Sequence, residues 1–479
     1  MIMGKGVILM LTKRIIVDND GGDVFGCKSA SYEDFIAARL INLPSTKATT
    51  LFYTTISSGF GLFSHRTALG TVRVGQEPYL QYNRVSEMLD LGTDCLQYVS
   101  RFCREQGIEL FWGMRMNDTH DGTGQYYSDL SFRQNRFKNE HPECLLGSPD
   151  RYPRHGARTA VNYAMPLVRE LAFGFVKEVL DSYDIDGVHL DFFRHPVFFP
   201  TPASGEHATE EEIGLMTELV KRISSEVRSH GKLLSVRVPD DVGYSRFLGL
   251  DVEDWLRTGL IDLLCTTGYV QLNDWEYSCR LGHRYGVPVY ASLDEIRPSN
   301  AGKVAPERNR PEVMRARVCD ALGQGCDGIL FFNYIFDSDV SKPDVRQRHE
   351  LIRQASDPSL LAASPRCYYA SYRGIGTIAG GAPYHRWFQQ ICTLTPVSPV
   401  AVQGERDIRM FIASAAGNAT VRILVDDDAC ASVSFEGQTE KLVPGENVFR
   451  TDRLKDGCTV FRFRAEKPFV LYDLSVSFD

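Results

Sequence analysis

The sequence holds no Cys-x-x-Cys pair; its twelve cysteines are scattered singly over 479 residues. That excludes the usual zinc-ribbon and dithiol-redox spacings and points to buried, reduced thiols in a cytosolic protein. The count is even, which leaves disulfides open in an exported form. Basic residues are also in deficit. Lys and Arg number 53 against 61 Asp and Glu, a formal charge of −8, whereas a nucleic-acid-binding face needs a basic surplus. Long apolar runs are missing too. The run VILML in MIMGKGVILMLTKR is shorter than a signal-peptide core and lacks a small-residue cleavage site. No other stretch approaches the roughly 20 apolar residues of a membrane helix. The expectation is a cytoplasmic protein with no membrane or nucleic-acid partner and no cofactor.

What the chain does have is a rhythm. Strand-like runs recur at RIIVDNDGGD (14–23), TLFYTTISSGF (50–60), IELFWGMRMND (108–118) and DGVHLDFFRH (186–195). They continue at LLSVRVPDD (233–241), IDLLCTTGYV (261–270), VPVYASLDE (287–295) and DGILFFNY (327–334). Amphipathic segments lie between them, at 32–41, 168–183 and 211–230. The last sets Ile213, Met216, Leu219, Val220 and Ile223 on one helical face. Eight β-then-α units predict an α/β chain folded as a (β/α)8 TIM barrel over residues 1–364, with a doubly wound open sheet as runner-up. Residues 365–479 change to period-two alternation broken by Gly, Pro, Asn and Asp. They read as a small antiparallel β-sandwich, an accessory domain that covers the barrel or binds carbohydrate. The insert at 119–166 is long for a loop, and in a barrel it would lie over the site as a lid.

Alternation along each strand predicts which side chains face the barrel interior. In the fourth strand His189, Asp191 and Phe193 turn inward, while Val188, Leu190 and Phe192 face the helices. In the third, Arg115 follows Phe111 and Gly113 inward, with Asn117 beyond. In the fifth Arg237 faces in, and in the seventh Tyr290, Ser292 and Asp294 do. Barrel enzymes place chemistry at the C-terminal ends of strands. Asp18, Asp20, Asn117, Asp118, Asp191, Asp240, Asp241, Tyr269, Asp294, Glu295 and Asn333 all stand there. Asp at such turns also caps the next helix, which is the plainer role for any one of them.

Asp, Asn, Arg, His and Tyr around one mouth suit a polyhydroxylated ligand. Trp112, Tyr269, Trp275 and the Phe192/Phe193 pair are candidate faces for sugar C–H surfaces, although Trp112 and Phe192 read equally well as packing. Glycosidic cleavage needs two carboxyl groups. Asp191 and Asp294 are the expected pair, with Glu295 as substitute and Asp240 or Asp241 behind it. Asp20, Arg115, Asn117, Asp118, His189, Arg194, Arg237, Asp240, Tyr269 and Asn333 are the candidate substrate contacts. Among them Arg115, Arg194 and His189 can hold a carboxylate ionised or receive an anionic sugar.

The block from HPECLLGSPD (141–150) through NYAMPLVRELAFGFVKEVLDSYDIDGVHLDFFRHP (162–196) resembles the glycosyl-hydrolase-like family related to family 10 glycosidases. The elements that match are His141-Pro142-Glu143, Pro166-Leu167-Val168-Arg169, Tyr183 to Asp191, and Arg194-His195-Pro196. Cys144 stands where that family usually has an aromatic, and Phe192 where it often has a second acid. The resemblance implies a TIM barrel, glycoside hydrolysis and a place for Asp191 in the site. Three other readings compete. Asp18, Asp20 and Asp23 of DNDGGD offer oxygen ligands for a metal-dependent hydrolase. A glycosidase-like barrel can bind carbohydrate without cleaving it. A polysaccharide lyase could use the arginines to hold an acidic sugar.

Overall fold

The structure is a computed structural model that describes residues 13–55, 59–75, 82–122, 132–267, 271–294, 310–370, 400–413, 415, 417–426 and 431–478. Its first part alternates strand and helix eight times. The strands are β1 (Ile15–Asn19), β2 (Thr50–Thr54), β3 (Glu109–Arg115), β4 (Gly187–Asp191), β5 (Leu233–Val238), β6 (Leu263–Thr266), β7 (Val289–Leu293) and β8 (Gly328–Phe332). Each is followed by a helix: α1 (Tyr32–Arg39), α2 (Cys95–Gln106), α3 (Pro166–Ser182), α4 (Glu210–Ser229), α5 (Val252–Arg257), α6 (Trp275–Arg284), α7 (Pro311–Gly323) and α8 (Pro343–Ala355). All strand pairs are parallel, and the sheet closes on itself. Ile16 is in register with Thr50 of β2 on one side and Leu330 of β8 on the other, so the first strand has no free edge. The open doubly wound sheet is thereby excluded.

Local chemistry explains where the helices start. Ser31 and Asp94 accept main-chain N–H bonds from Asp34 and Gln97, and Thr209 with Glu212 forms a reciprocal capping box on α4. Pro opens α3, α7 and α8, where its missing N–H costs nothing. On α4, Ile213, Met216, Leu219, Val220 and Ile223 are buried, the face that the spacing predicts.

The barrel interior is layered. At the N-terminal end Arg14 donates to Glu109 and to Tyr290 Oη. Above it Phe52 packs on Phe111 and on the His189 ring, and His189 Nδ1 lies 2.9 Å from Ser235 Oγ. Burial pushes the His189 imidazole down to about 3, so it is a neutral core group. The topmost layer is charged.

The C-terminal part is an antiparallel sheet domain. Its strands are β9 (Arg366–Tyr369), β10 (Val400–Ile412), β11 (Ala419–Val425), β12 (Ala431–Phe435), β13 (Gln438–Leu442), β14 (Gly445–Thr451) and β15 (Gly457–Phe478). β15 is 22 residues long and pairs with β9, β10, β11 and β12. Alternating burial along β11 and β12 accounts for the period-two pattern. No described helix is long and apolar enough to cross a membrane. Ten cysteines lie among the described residues; all are unbridged, and all but Cys458 are buried.

Candidate active site

Strand register puts three charges in one row. Arg115 of β3 is opposite Asp191 of β4, which is opposite Arg237 of β5. All three side chains point into the barrel, as alternation predicts, and all are buried. Arg237 holds Asp191 with a two-pronged bond: Nε donates to Oδ1 at 3.0 Å, and Nη2 donates to Oδ2. Asp191 Oδ1 also accepts the main-chain N–H groups of Phe193 and Arg194. Burial alone would raise this carboxyl. The charge and bonds of Arg237 outweigh it and hold Asp191 below the usual carboxylate range. Beneath the guanidinium, Phe332 of β8 presents its ring at 3.8 Å, a cation–π contact.

The third nitrogen of Arg237 reaches another carboxyl. Nη1 lies 3.6 Å from Oδ2 of Asp18, at the C-terminal end of β1. The carboxylate of Asp18 has no hydrogen bond among the described residues, and its main-chain O accepts the N–H of Asn333. Burial pushes Asp18 up to about 7; Arg237 opposes that shift and Asp191 adds to it. Two carboxyl groups that share one guanidinium are therefore held in opposite protonation states below about 7.

A second network lies beside the first. Arg115 Nη1 donates to Asp118 Oδ2 at 3.0 Å, and His120 Nδ1 lies 2.7 Å from Asp118 Oδ1. Arg194 Nη2 lies 2.7 Å from His120 Nε2. Arginine can only donate, so Nε2 accepts and the His120 proton sits on Nδ1, facing Asp118. Burial would raise Asp118, but His120 and Arg115 hold it well below the usual range. His195 Nδ1 accepts the N–H of Thr119 at 3.1 Å, which leaves its proton on Nε2. Asp118, His120 and His195 bring one ligand atom each within 4.8 Å of one another, the spacing of a metal site. The fit is poor, because Arg115 and Arg194 already occupy the Asp118 and His120 lone pairs and would repel a cation.

The backbone is strained around this mouth. Among the described residues five non-glycines have positive φ, and three follow barrel strands: His195 (58°), Thr267 (64°) and Asn333 (47°). For β-branched Thr267 this is a costly conformation, and such strain concentrates at functional sites.

The remaining predicted residues divide by what they touch. Asp20 pairs with Arg39 of α1 at 2.7 Å. Asn117 spends its amide on the loop backbone, donating to Val161 and Val197 and accepting from Val161 N–H. Asp240 accepts the N–H groups of Leu272 and Asn273; burial nevertheless pushes it up to about 7. Asp241 caps the short helix Val242–Phe247. Asp294 Oδ2 lies 3.7 Å from Arg317 Nη2 of α7, and Arg317 also donates to the Asp294 main-chain O. Glu295 and Tyr269 lie outside the described residues. His189 sits a layer below the mouth, not in it. Asp18, Asp20 and Asp23 do not converge into a metal-ligand cluster among the described residues: Asp18 faces Arg237, Asp20 faces Arg39, and Asp23 is bonded to Asn19.

Trp112 and Phe192 pack under the helices, as their outward placement predicts, and the sugar-face reading of Trp275 and Phe193 is corrected. Trp112, Trp275, Phe192 and Phe193 are all buried. Trp112 packs with Phe63 and donates to Thr55, and Phe192 packs on Trp255. Phe336 was missed by sequence reasoning. It lies beyond β8, is 48% exposed, and has Arg39 and Arg348 against its ring. Its signal is an aromatic in the polar segment IFDSD just past a strand end. His120 and His195 were missed as a network because nothing in their separation of 75 positions shows that they meet.

The loop after β3 is tied to itself and to the segment after β2 where it is described. Lys138 and Asp121 form a fully buried ion pair at 2.8 Å, and Asn135 donates to the main-chain O of Phe60.

No family model matches the chain, and no curated protein does. Solved structures with a similar course exist at low identity. A noncanonic maltogenic alpha-amylase from Thermotoga neapolitana is 11% identical, with 97% of this chain and 98% of that one covered, at a TM-score of 0.41. An alpha-amylase from Geobacillus thermoleovorans, complexed with acarbose, is 13% identical over 95% of this chain and 100% of that one, at 0.42. An alpha-galactosidase from Geobacillus stearothermophilus gives 13% and 0.42, with 95% of this chain and 56% of that one covered. These neighbours are glycoside hydrolases, but likenesses this distant carry no argument about the chemistry of this chain.

Proposed function

We propose that the chain is a glycoside hydrolase, with Asp18 as general acid and Asp191 as the ionised carboxylate of a two-carboxyl mechanism. One observation carries this reading: both groups stand at the C-terminal ends of barrel strands, share Arg237, and have their proton affinities pushed apart. Two carboxyls with opposed environments are the signature of an acid/base assignment. Asp18 keeps a proton to give to the leaving glycosidic oxygen. Asp191 faces the positive charge that develops at the anomeric carbon, as nucleophile or as base to water. The stereochemistry of the product, read by NMR, separates those two roles. Asp18 replaces Asp294 in the pair because Asp18 shares the guanidinium with Asp191. The motif resemblance over residues 141–196 to the hydrolase-like family related to family 10 supports the same reading.

A second reading has its own observation. Asp191 Oδ1 already accepts three N–H groups, which favours a barrel that binds carbohydrate without cleaving it. The test is a panel of oligosaccharides and aryl glycosides with product release followed by mass spectrometry. Wild type, Asp18→Asn and Asp191→Asn are run together. Turnover by wild type that drops by orders of magnitude in both variants supports the hydrolase. Glycan binding with no turnover by any of the three supports the binding protein.

A further inference from the structure

We propose that Cys279 and Cys326 are a redox-responsive pair. They stand as two thiols under reducing conditions and join as a disulfide when a low-molecular-weight disulfide such as oxidised glutathione is present. The bond fastens α6 to the entry of β8, whatever the mouth binds.

The first support is geometric. The two Sγ atoms lie 3.5 Å apart, although the residues are 47 positions apart in sequence. Both residues are buried and unbridged. Cys326 precedes β8, so the pair sits at the N-terminal end of the barrel, opposite the mouth. The backbone that carries each thiol is fixed. Helix α7 ends in a Schellman motif, in which the N–H of Cys326 bonds to the main-chain O of Ala321 and that of Gly325 to Leu322. Gly325, at φ 102°, makes the left-handed turn that this motif needs. On the other side, α6 grips the same turn from one helical face. The N–H of Glu276 donates to Gln324 Oε1 at 3.1 Å, and His283 Nε2 lies 2.7 Å from Asp327 Oδ2. Positions 276, 279 and 283 share that face, so the thiols are the middle one of three successive contacts. Asp327 also accepts the N–H of Val289 of β7, which ties the turn to the neighbouring strand. Two thiols bracketed in this way meet each other far more often than either meets a second reagent molecule.

The second support is chemical. One thiol, as thiolate, attacks a sulfur of the reagent; the reagent's S–S bond breaks, a mixed disulfide forms, and one glutathione leaves. The second thiol attacks the protein sulfur of that mixed disulfide and expels the other glutathione. Two protein S–H bonds are lost and one S–S bond is gained. Two electrons pass to the reagent, whose halves leave as two thiols with both protons. The Cys279 contact, then burial, holds the proton of Cys326 well above the ordinary thiol value. The pair is therefore slow to react at neutral pH and faster as pH rises. The loop that the bond closes runs from α6 through β7 to the entry of β8, and closing it restricts the unfolded chain.

The test is incubation of the full chain, wild type and Cys279→Ser, with oxidised glutathione at about pH 8.5. Peptide mapping without reductant then locates the bonds, and thermal denaturation follows stability. Exposed Cys458, which takes up glutathione, reports that the reagent is active. The expected result is a peptide pair linked through Cys279 and Cys326 in most wild-type chains. The melting temperature should rise by about 5 °C with the link and return when dithiothreitol is added. Cys279→Ser should form no such link and show no such rise. If that variant does not fold, the map of wild type and its reversal by dithiothreitol still decide. Three results overturn the proposal: Cys458 modified while Cys279 and Cys326 stay free thiols, separate glutathione adducts on the two, or a link that leaves the melting temperature where it was.

Discussion

Arg237 and Asp191 are opposite one another on adjacent barrel strands and are joined by two parallel bonds, with Nε to Oδ1 at 3.0 Å. Arg237 has no exposed surface and Asp191 keeps 3%, so the guanidinium depends on its protein partners to balance its charge. Replacing Arg237 with Met leaves a buried carboxylate without its counter-charge. Breaking such a pair costs about 3–5 kcal/mol. Urea denaturation should show that loss for Arg237→Met, and a smaller one for the double variant Arg237→Met/Asp191→Asn, in which no charge is stranded. Equal losses would mean that the pair is not what the guanidinium stabilises.

The opposed proton affinities of Asp18 and Asp191 fix the pH profile. Activity requires Asp18 protonated, so kcat/KM should fall as pH rises through about 7. It requires Asp191 ionised, so the acid limb should lie below the ordinary carboxylate value of 3.8. Asp18→Asn should lower kcat by orders of magnitude and remove the limb near 7 from any residual activity. A limb that survives in that variant assigns it to another group, with Asp240 the first to examine.

Protein stability should carry opposite signatures from the buried carboxyls and the buried imidazoles. Asp240 has a raised value, about 7, so the fold holds its proton where the unfolded chain releases it. Its contribution is complete below the unfolded value and is lost as pH rises toward 7. His189 has a lowered value, about 3, so the unfolded chain binds the extra proton. Its contribution is complete above the unfolded value near 6.5 and is lost as pH falls from there. Between pH 4 and 6.5 each acts with a slope of about 1.4 kcal/mol per unit. Relative to wild type, Asp240→Asn should therefore gain stability with rising pH and His189→Phe should lose it. Chemical denaturation at several pH values measures both slopes.

Thr267 follows β6 with φ at 64°, a conformation that glycine adopts freely. Thr267→Gly should raise stability by about 1 kcal/mol through relief of that strain. Turnover should fall, because the strained turn fixes the rim of the mouth. A stabilised variant with unchanged kcat would show that the strain serves the fold alone.

Much of the barrel was legible because period-two alternation and helical spacing are local. Eight runs such as LLSVRV and GILFF announce buried strands, and the spacing of Ile213, Met216, Leu219, Val220 and Ile223 announces a helix. Inward placement of Asp191, Arg115 and Arg237 followed from the same alternation. Their partnership did not, because it depends on register between strands dozens of residues apart. Asp18 was visible only as one acid among several in DNDGGD, and its bond to Arg237 requires the closed barrel. Among the aromatics, the packing role of Trp112 and Phe192 was legible from the same alternation, whereas the burial of Phe193 and Trp275 was not. Trp112 and Phe192 sit next to site residues in sequence, and that adjacency sends them to the opposite face.

The long final strand β15 has a consequence for the order of assembly. Ribosomal synthesis runs from the N-terminus, and domains generally fold as units as they emerge. The barrel lacks only its last strand and helix once residue 327 has appeared, and it can seal when β8 docks on β1. The C-terminal sheet can form only the β11/β14 and β12/β13 pairs early, because β9, β10, β11 and β12 all use β15 as their common neighbour. Until residues 457–478 are made, those strands present unsatisfied edges, the kind of surface that recruits stray partners. A nascent chain paused before residue 457 would thus hold a finished barrel beside an adhesive, half-built sheet.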